Sequence, residues 1–244
     1  LTAFAKPRTL HAILLGPMLN IFSSDNKSIV DAKTLQQLLG ETLTPRLQRI
    51  GLTKATKYGW HEQTRQEIRR GFSYTQLKGA TGTFTWGVTI DFLPVVRGNK
   101  VEYYNAPKKY MHHLFEWTDE YTNSFVGGQL QGGVTTHWGF KESKKSIGDL
   151  FDKYEKKISE WFDSASTIES LTNIAEQQIA IGKHYDIHFP RPKYVLPFLY
   201  AKDLHLDKAI QAFDTFDLYN FDNNDDLKKE LRIKLLTLAK KNGM

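Results

Sequence analysis

Between residues 84 and 92, large apolar side chains take every second position: Phe84, Trp86, Val88, Ile90 and Phe92, with Thr85, Gly87, Thr89 and Asp91 between them. A period of two marks a half-buried β-strand, with one face on a core and the other toward solvent, a cleft or a partner. Upstream, residues 67–77 are rich in aromatic and β-favouring types, and the alternation falters at Gly71, where a bulge is expected. Residues 78–82, with Gly79 and Gly82 available for positive φ, join the two runs into a hairpin over residues 68–96 that the rest of the chain is built to cover. Further strands are expected at 56–61, 101–104, 111–117 and 134–140, with Pro94 limiting the central strand or placing it at an edge. Strands that follow one another without intervening helices pair antiparallel, which predicts a sheet of about five to six strands.

Before and after this region the period changes. Ile29, Val30, Leu35, Leu38, Leu39, Leu43, Leu47 and Ile50 recur at helical spacing, Ser28 or Asp31 can cap them, Pro45 predicts a kink or break after Thr44, and Gly51 ends the segment. After Lys144, the residues Ile147, Leu150, Tyr154, Ile158, Trp161 and Phe162 form an amphipathic stripe. Ser166 or Thr167 can cap a second helix running to Gly182. Residues 194–201 and 206–216 read as a helical hairpin, and 222–241 as a closing helix. The fold class expected is α+β: an antiparallel sheet with an N-terminal helix and a C-terminal helical region packed on one face. The chain divides into an N-terminal arm (1–27), a helix plus sheet (28–143) and a helical region (144–244) that packs on the sheet as one unit.

Charge sharpens this picture only slightly. Residues 1–110 hold 16 Lys/Arg against 7 Asp/Glu, whereas residues 111–190 hold 7 against 12. A basic front half can steer an anionic partner, although a solvated surface with complementary patches is the preferred reading. The absence of cysteine excludes disulfides, thiolate metal sites and a Cys nucleophile. Residues 12–22, behind Lys6, Arg8 and His11, have the outline of a signal peptide, but Gly16 and Pro17 interrupt it, and an arm packed on the core is the reading adopted. No apolar run approaches the roughly 20 residues that span a bilayer, so a cytoplasmic location without a membrane span is expected.

Taken in order, the helix, then Arg49-Ile50-Gly51-Leu52, Tyr58-Gly59-Trp60, Ile68-Arg69-Arg70-Gly71-Phe72 with Gln76, and Gly82-Thr83-Phe84-Thr85 resemble a bacterial family known only as domain of unknown function 4304. Ile158-Ser159-Glu160-Trp161-Phe162-Asp163 and Ser166-Thr167-Ile168-Glu169-Ser170-Leu171 are similar to the helical part that follows the sheet in that family, so the resemblance covers residues 35–175. It implies the fold but no reaction, substrate or catalytic residue. A second, weak likeness, to one tetratricopeptide hairpin, lies near residues 194–216 with Ala201, Ala209 and Ala212; a single copy makes no solenoid, and an ordinary helical hairpin is the better reading.

Motifs that carry chemistry are sparse. His184 and His188, four apart around Asp186, are the metal-ligand candidates, with His112 and His113 as a third ligand if the fold converges. Two histidines are too few for a site, and no cofactor is expected. The glycines fit neither a P-loop nor a dinucleotide fingerprint, no G-x-S-x-G elbow exists, and serines near histidines are too scattered to nominate a triad. Asp222 to Asp226 is acidic but lacks the Gly and closing Glu of a calcium loop; helix capping explains it. The remaining place to look is the polar face of the hairpin, where Thr85, Thr89, Asp91, Gln76, Arg69 and Arg70, flanked by Tyr58 and Trp60, are the candidate binding residues. The expected function is a non-catalytic protein-binding module with a protein partner. The alternatives are nucleic-acid binding through Arg69, Arg70, Lys54, Lys57 and Arg65, and an enzyme whose His/carboxylate site leaves no contiguous motif.

Overall fold

A computed structural model describes residues 28–64, 66–98, 100–118, 125–126, 129–130, 132–182, 185, 190–215 and 225–242. The N-terminal arm (1–27), Arg65, His184, His188 and residues 222–224 lie outside them. Helix α1 (Ala32–Arg49) starts where Asp31 accepts hydrogen bonds from the amides of Lys33 and Thr34, each at 2.8 Å. It runs unbroken through Pro45. The expected break does not occur: Leu43 and Leu47, on either side of the proline, dock into the same core, and their burial outweighs one lost hydrogen bond.

The sheet is antiparallel and six-stranded, in the order β1 (Thr53–Lys54), β2 (Gly59–His61), β3 (Ile68–Leu77), β4 (Thr81–Ile90), β10 (Thr135–Thr136), with β7 (Leu114–Trp117) also paired to β4. Two separate ribbons, β5 (Pro94–Arg97) with β6 (Lys100–Tyr103) and β8 (Phe125–Val126) with β9 (Gln129–Leu130), stand off this path. The outer side of β4 is shared: β10 takes Thr81 and Gly82, and β7 takes Thr85 to Val88. Between them Thr83 Oγ1 meets Thr118 Oγ1 at 2.6 Å and the carbonyl of Gly133 at 3.1 Å.

The β3–β4 ladder is continuous from Ile68↔Ile90 to Leu77↔Thr81. No bulge occurs at Gly71, which sits directly opposite Gly87. The hairpin loop is therefore residues 78–80, with Gly79 at φ 80° and Ala80 at φ 56°. Gly82, expected in the turn, lies within β4, where a Cβ would come within 2.1 Å of Tyr74 Oη.

Alternation places Phe72, Tyr74, Phe84 and Trp86 on one face, with Trp60 from β2. They pack against the leucines of α1 and against Ile147, Phe151, Tyr154, Ile158 and Phe162 of α2 (Phe140–Ser164). Helix α2 begins at Phe140, earlier than the apolar stripe suggests, and only Thr135 and Thr136 of the expected 134–140 strand pair with the sheet. Val88, Ile90 and Leu114 on the same face feed a second cluster. It contains residues of α3 (Ile168–Ile181), α4 (Pro192–Lys202), α5 (Leu206–Asp214) and α6 (Asp225–Asn242). Helix α3 opens on a capping box in which Thr167 and Ser170 satisfy each other's amides. Phe92 lies beyond the end of β4 and is only partly buried. Among the described residues, no helix is long and apolar enough to cross a membrane.

Candidate functional site

The opposite face of the hairpin is built by the pairs Arg69↔Thr89, Gly71↔Gly87, Ser73↔Thr85 and Thr75↔Thr83, with His61 beside Gly71. Much of it is covered rather than open. Residues 104–113 cross it as a strap, and the contact is polar. Arg69 is fully buried: its Nε and Nη2 lie 3.1 and 3.0 Å from Asp91 Oδ1, and its guanidinium also donates to the carbonyls of Tyr104, Pro107 and Lys109. Thr89 Oγ1 donates to the carbonyl of Met111 at 2.6 Å and accepts from its amide at 3.2 Å.

The two opposed glycines explain how the strap lies so close. A Cβ at Gly71 would sit 2.1 Å from Tyr110 Cζ, and one at Gly87 would sit 2.8 Å from His112 Nδ1. Tyr110 therefore lies flat on bare backbone, stacked on His61 with centroids 5.0 Å apart. His61 Nε2 donates to the carbonyl of Pro107 at 3.1 Å, and burial, with the nearby Arg69 charge, lowers its pKa. His113 is fully buried, its Nδ1 accepts from the amide of Ile90 at 2.8 Å, and Tyr104 lies perpendicular to its ring. Burial, then the His112 and Arg69 charges, depress its pKa to about 3, so it is neutral at pH 7.

Arg69, Thr89 and Asp91 thus converge in one cluster, with Thr85 further along the same face beside Ser73. Arg70, Trp60 and Gln76 do not join them, because strand alternation turns them to the other face. Arg70 Nε donates to Glu62 Oε1 at 2.7 Å and its Nη2 to the carbonyl of Ile50 at 3.2 Å. Trp60 donates from Nε1 to Thr44 Oγ1 at 3.0 Å within the helix-facing core, and Gln76 is exposed near the hairpin tip. Of the other cations considered for nucleic acid, Lys54 lies over the Trp60 ring at 5.7 Å and Lys57 is exposed. Among the described residues, no group of three or more His, Cys, Asp or Glu side chains is placed to hold a metal.

Beside the strap a cleft of about 330 Å³ remains, lined among others by Tyr58, His61, Ser73, Lys108, Tyr110 and His112. In it Ser73 Oγ lies 2.9 Å from His112 Nε2, and His112 Nδ1 lies 2.9 Å from Tyr110 Oη. Tyr110 Oη is also 2.8 Å from the carbonyl oxygen of Gly87. A carbonyl only accepts, so the tyrosine proton goes there, and Tyr110 Oη accepts from Nδ1–H. His112 Nε2 then carries the lone pair and Ser73 donates to it. The serine and histidine are 39 positions apart, which hides the pair from sequence reasoning; the one local signal is a glycine inside each of two paired strands.

A second feature also escaped the sequence reading. Ile29 and Trp138 form an isolated antiparallel bridge, flanked by Val30 N–H to the carbonyl of His137 at 2.9 Å and Gly139 N–H to the carbonyl of Ser28 at 3.0 Å. Such a non-hydrogen-bonded pair holds its side chains close together. Both are exposed, Ile29 at 52% and Trp138 at 47%, and Phe140 two positions on is exposed at 50%. Searches of family models, curated proteins and solved structures found no match to this chain.

Proposed function

We propose that this chain is a non-catalytic bacterial protein-binding module, cytoplasmic in location, whose anchor is the Ile29, Trp138 and Phe140 patch. The observation that carries the reading is the exposure of these three large apolar side chains at one place on the fold. Large solvent-facing aromatics are costly to display, and Trp is the residue type that most often dominates binding energy when it enters a partner's pocket. Lys144 and Lys145 on the first turns of α2 already face Glu41 and Asp149 in exposed pairs, so the three apolar side chains rather than charge carry the contact. Kinship with the family of unknown function 4304 is part of the same proposal.

Nucleic-acid binding has less support, because Arg69 and Arg70 are both engaged by internal carboxylates. The test of the protein-binding reading is affinity capture from the native cell with the wild-type chain and with Trp138→Ala. A specific partner should be retained by the first and lost, by at least about tenfold in affinity, with the second. Equal capture by both, with Trp138→Ala folded normally, would remove the patch as the anchor.

A further inference from the structure

We propose that Ser73 is a covalent modification site: a nucleophile, activated by His112, that takes an acyl group from a small activated ester or thioester bound in the cleft beside the strap, and keeps it. Three observations carry this. First, Ser73 Oγ and His112 Nε2 lie 2.9 Å apart, within the reach that a nucleophile and its general base require. Second, the proton order is fixed from the far end, since the Gly87 carbonyl claims the Tyr110 proton and Tyr110 Oη claims that of His112 Nδ1. The nitrogen facing Ser73 is therefore the basic one. Third, the pair opens on a cleft of about 330 Å³ walled in part by Tyr58, Met111 and Tyr110, with Lys108 as its ammonium group, large enough for a short acyl donor.

The step balances without a co-reactant. Ser73 Oγ attacks the carbonyl carbon of the donor and its proton passes to His112 Nε2. The C–O or C–S bond to the leaving group then breaks, and the leaving alkoxide or thiolate takes that proton back. The products are an ester on Ser73 and a free alcohol or thiol, and His112 returns to its starting state. Tyr110 acts as a positioning residue that fixes the tautomer and ring of His112.

The same geometry sets the limit of the reaction. The amide of Tyr74, next after the nucleophile, donates to the carbonyl of Tyr58 across the β2–β3 ladder. It is not free to stabilise an oxyanion as the corresponding amide does in hydrolases with turnover. Only a donor with a good leaving group then acylates Ser73, and the serine ester formed, whose leaving group is a poor alkoxide, is hydrolysed far more slowly, so it persists.

The experiment uses the full chain with p-nitrophenyl acetate. Wild-type protein should release one equivalent of p-nitrophenolate in a burst, and peptide mass spectrometry should find the acetyl group on Ser73. The Ser73→Ala chain should show no burst, and His112→Ala should acylate at Ser73 about a hundredfold more slowly. Added imidazole should restore labelling of Ser73 in His112→Ala, which a merely structural histidine would not allow. His112→Gln, which keeps an acceptor toward Ser73 but no basic nitrogen, serves if the alanine variant does not fold, and should be as slow. Acetyl found only on lysines, or Ser73 labelled at the wild-type rate in either His112 variant, would overturn the proposal.

Discussion

The two faces of the β3–β4 hairpin are held by different physics. On the helix-facing side Phe72, Phe84, Trp86 and Trp60 meet the side chains of α1 and α2, and stability comes from apolar area and close packing. On the strap side the contact is made by a buried guanidinium, a threonine hydroxyl and two bare glycines, and almost every contact has a direction. The first arrangement degrades in proportion to the atoms removed. The second fails when one group is lost, because the carbonyls it satisfied stay buried without a donor.

Substitutions can separate these behaviours. The largest effect is expected for Phe84→Ala, which should cost about 3–5 kcal/mol of global stability by urea unfolding, spread over the sheet and helices alike. Arg69→Met should cost about 3 kcal/mol, since it takes a buried guanidinium away from Asp91 and from the strap carbonyls. Unlike Phe84→Ala, it should raise hydrogen exchange first at residues 104–113. A neutral Arg69→Met would mean that the strap is held by packing, and the contrast between the faces would collapse. Gly71→Ala should cost about 1–3 kcal/mol by pushing Tyr110 off the backbone, with His61–Tyr110 stacking lost as the spectroscopic readout.

The strap face should also respond to pH. His61 and His113 both have pKa values lowered by burial, so the unfolded chain takes up their protons first. Their contribution is complete above about pH 6.5 and is lost as pH falls, for His113 down toward about 3, with each histidine adding at most about 1.4 kcal/mol per pH unit. Unfolding midpoints measured between pH 7 and 5 should fall for the wild type, and less steeply for His113→Asn. At the small end, Lys145→Ala breaks an exposed pair with Asp149 on α2 and should change stability by less than about 0.5 kcal/mol.

The helix-facing side could be read from the chain because its information is periodic. Phe84, Trp86, Val88 and Ile90 repeat every two residues, the α2 stripe recurs every three or four, and the antiparallel α+β arrangement follows. The strap could not, because its partners have no period. Nothing local tells that Arg69 will be neutralised by Asp91 and by carbonyls 35 to 40 residues away, or that Gly71 is there for Tyr110 rather than for a bulge. The break expected at Pro45 does not appear for a related reason: propensity is local, whereas the burial of Leu43 and Leu47 that overrides it is tertiary. Ser73 with His112, and Ile29 with Trp138, became visible only once distant segments were placed side by side.

The sharing of β4's outer side by β10 and β7 bears on how copies of this chain behave toward one another. A ten-residue strand with an open side would be a template on which a second molecule could lay its own strand, and the addition could repeat without end. Here the chain's own later residues occupy both ends of that row, and Thr83, Thr118 and Gly133 close the middle with hydroxyl-to-carbonyl bonds. The central hairpin is thereby capped against fibre growth along β4, and recognition is left to side chains such as Trp138, which can select one surface and stop.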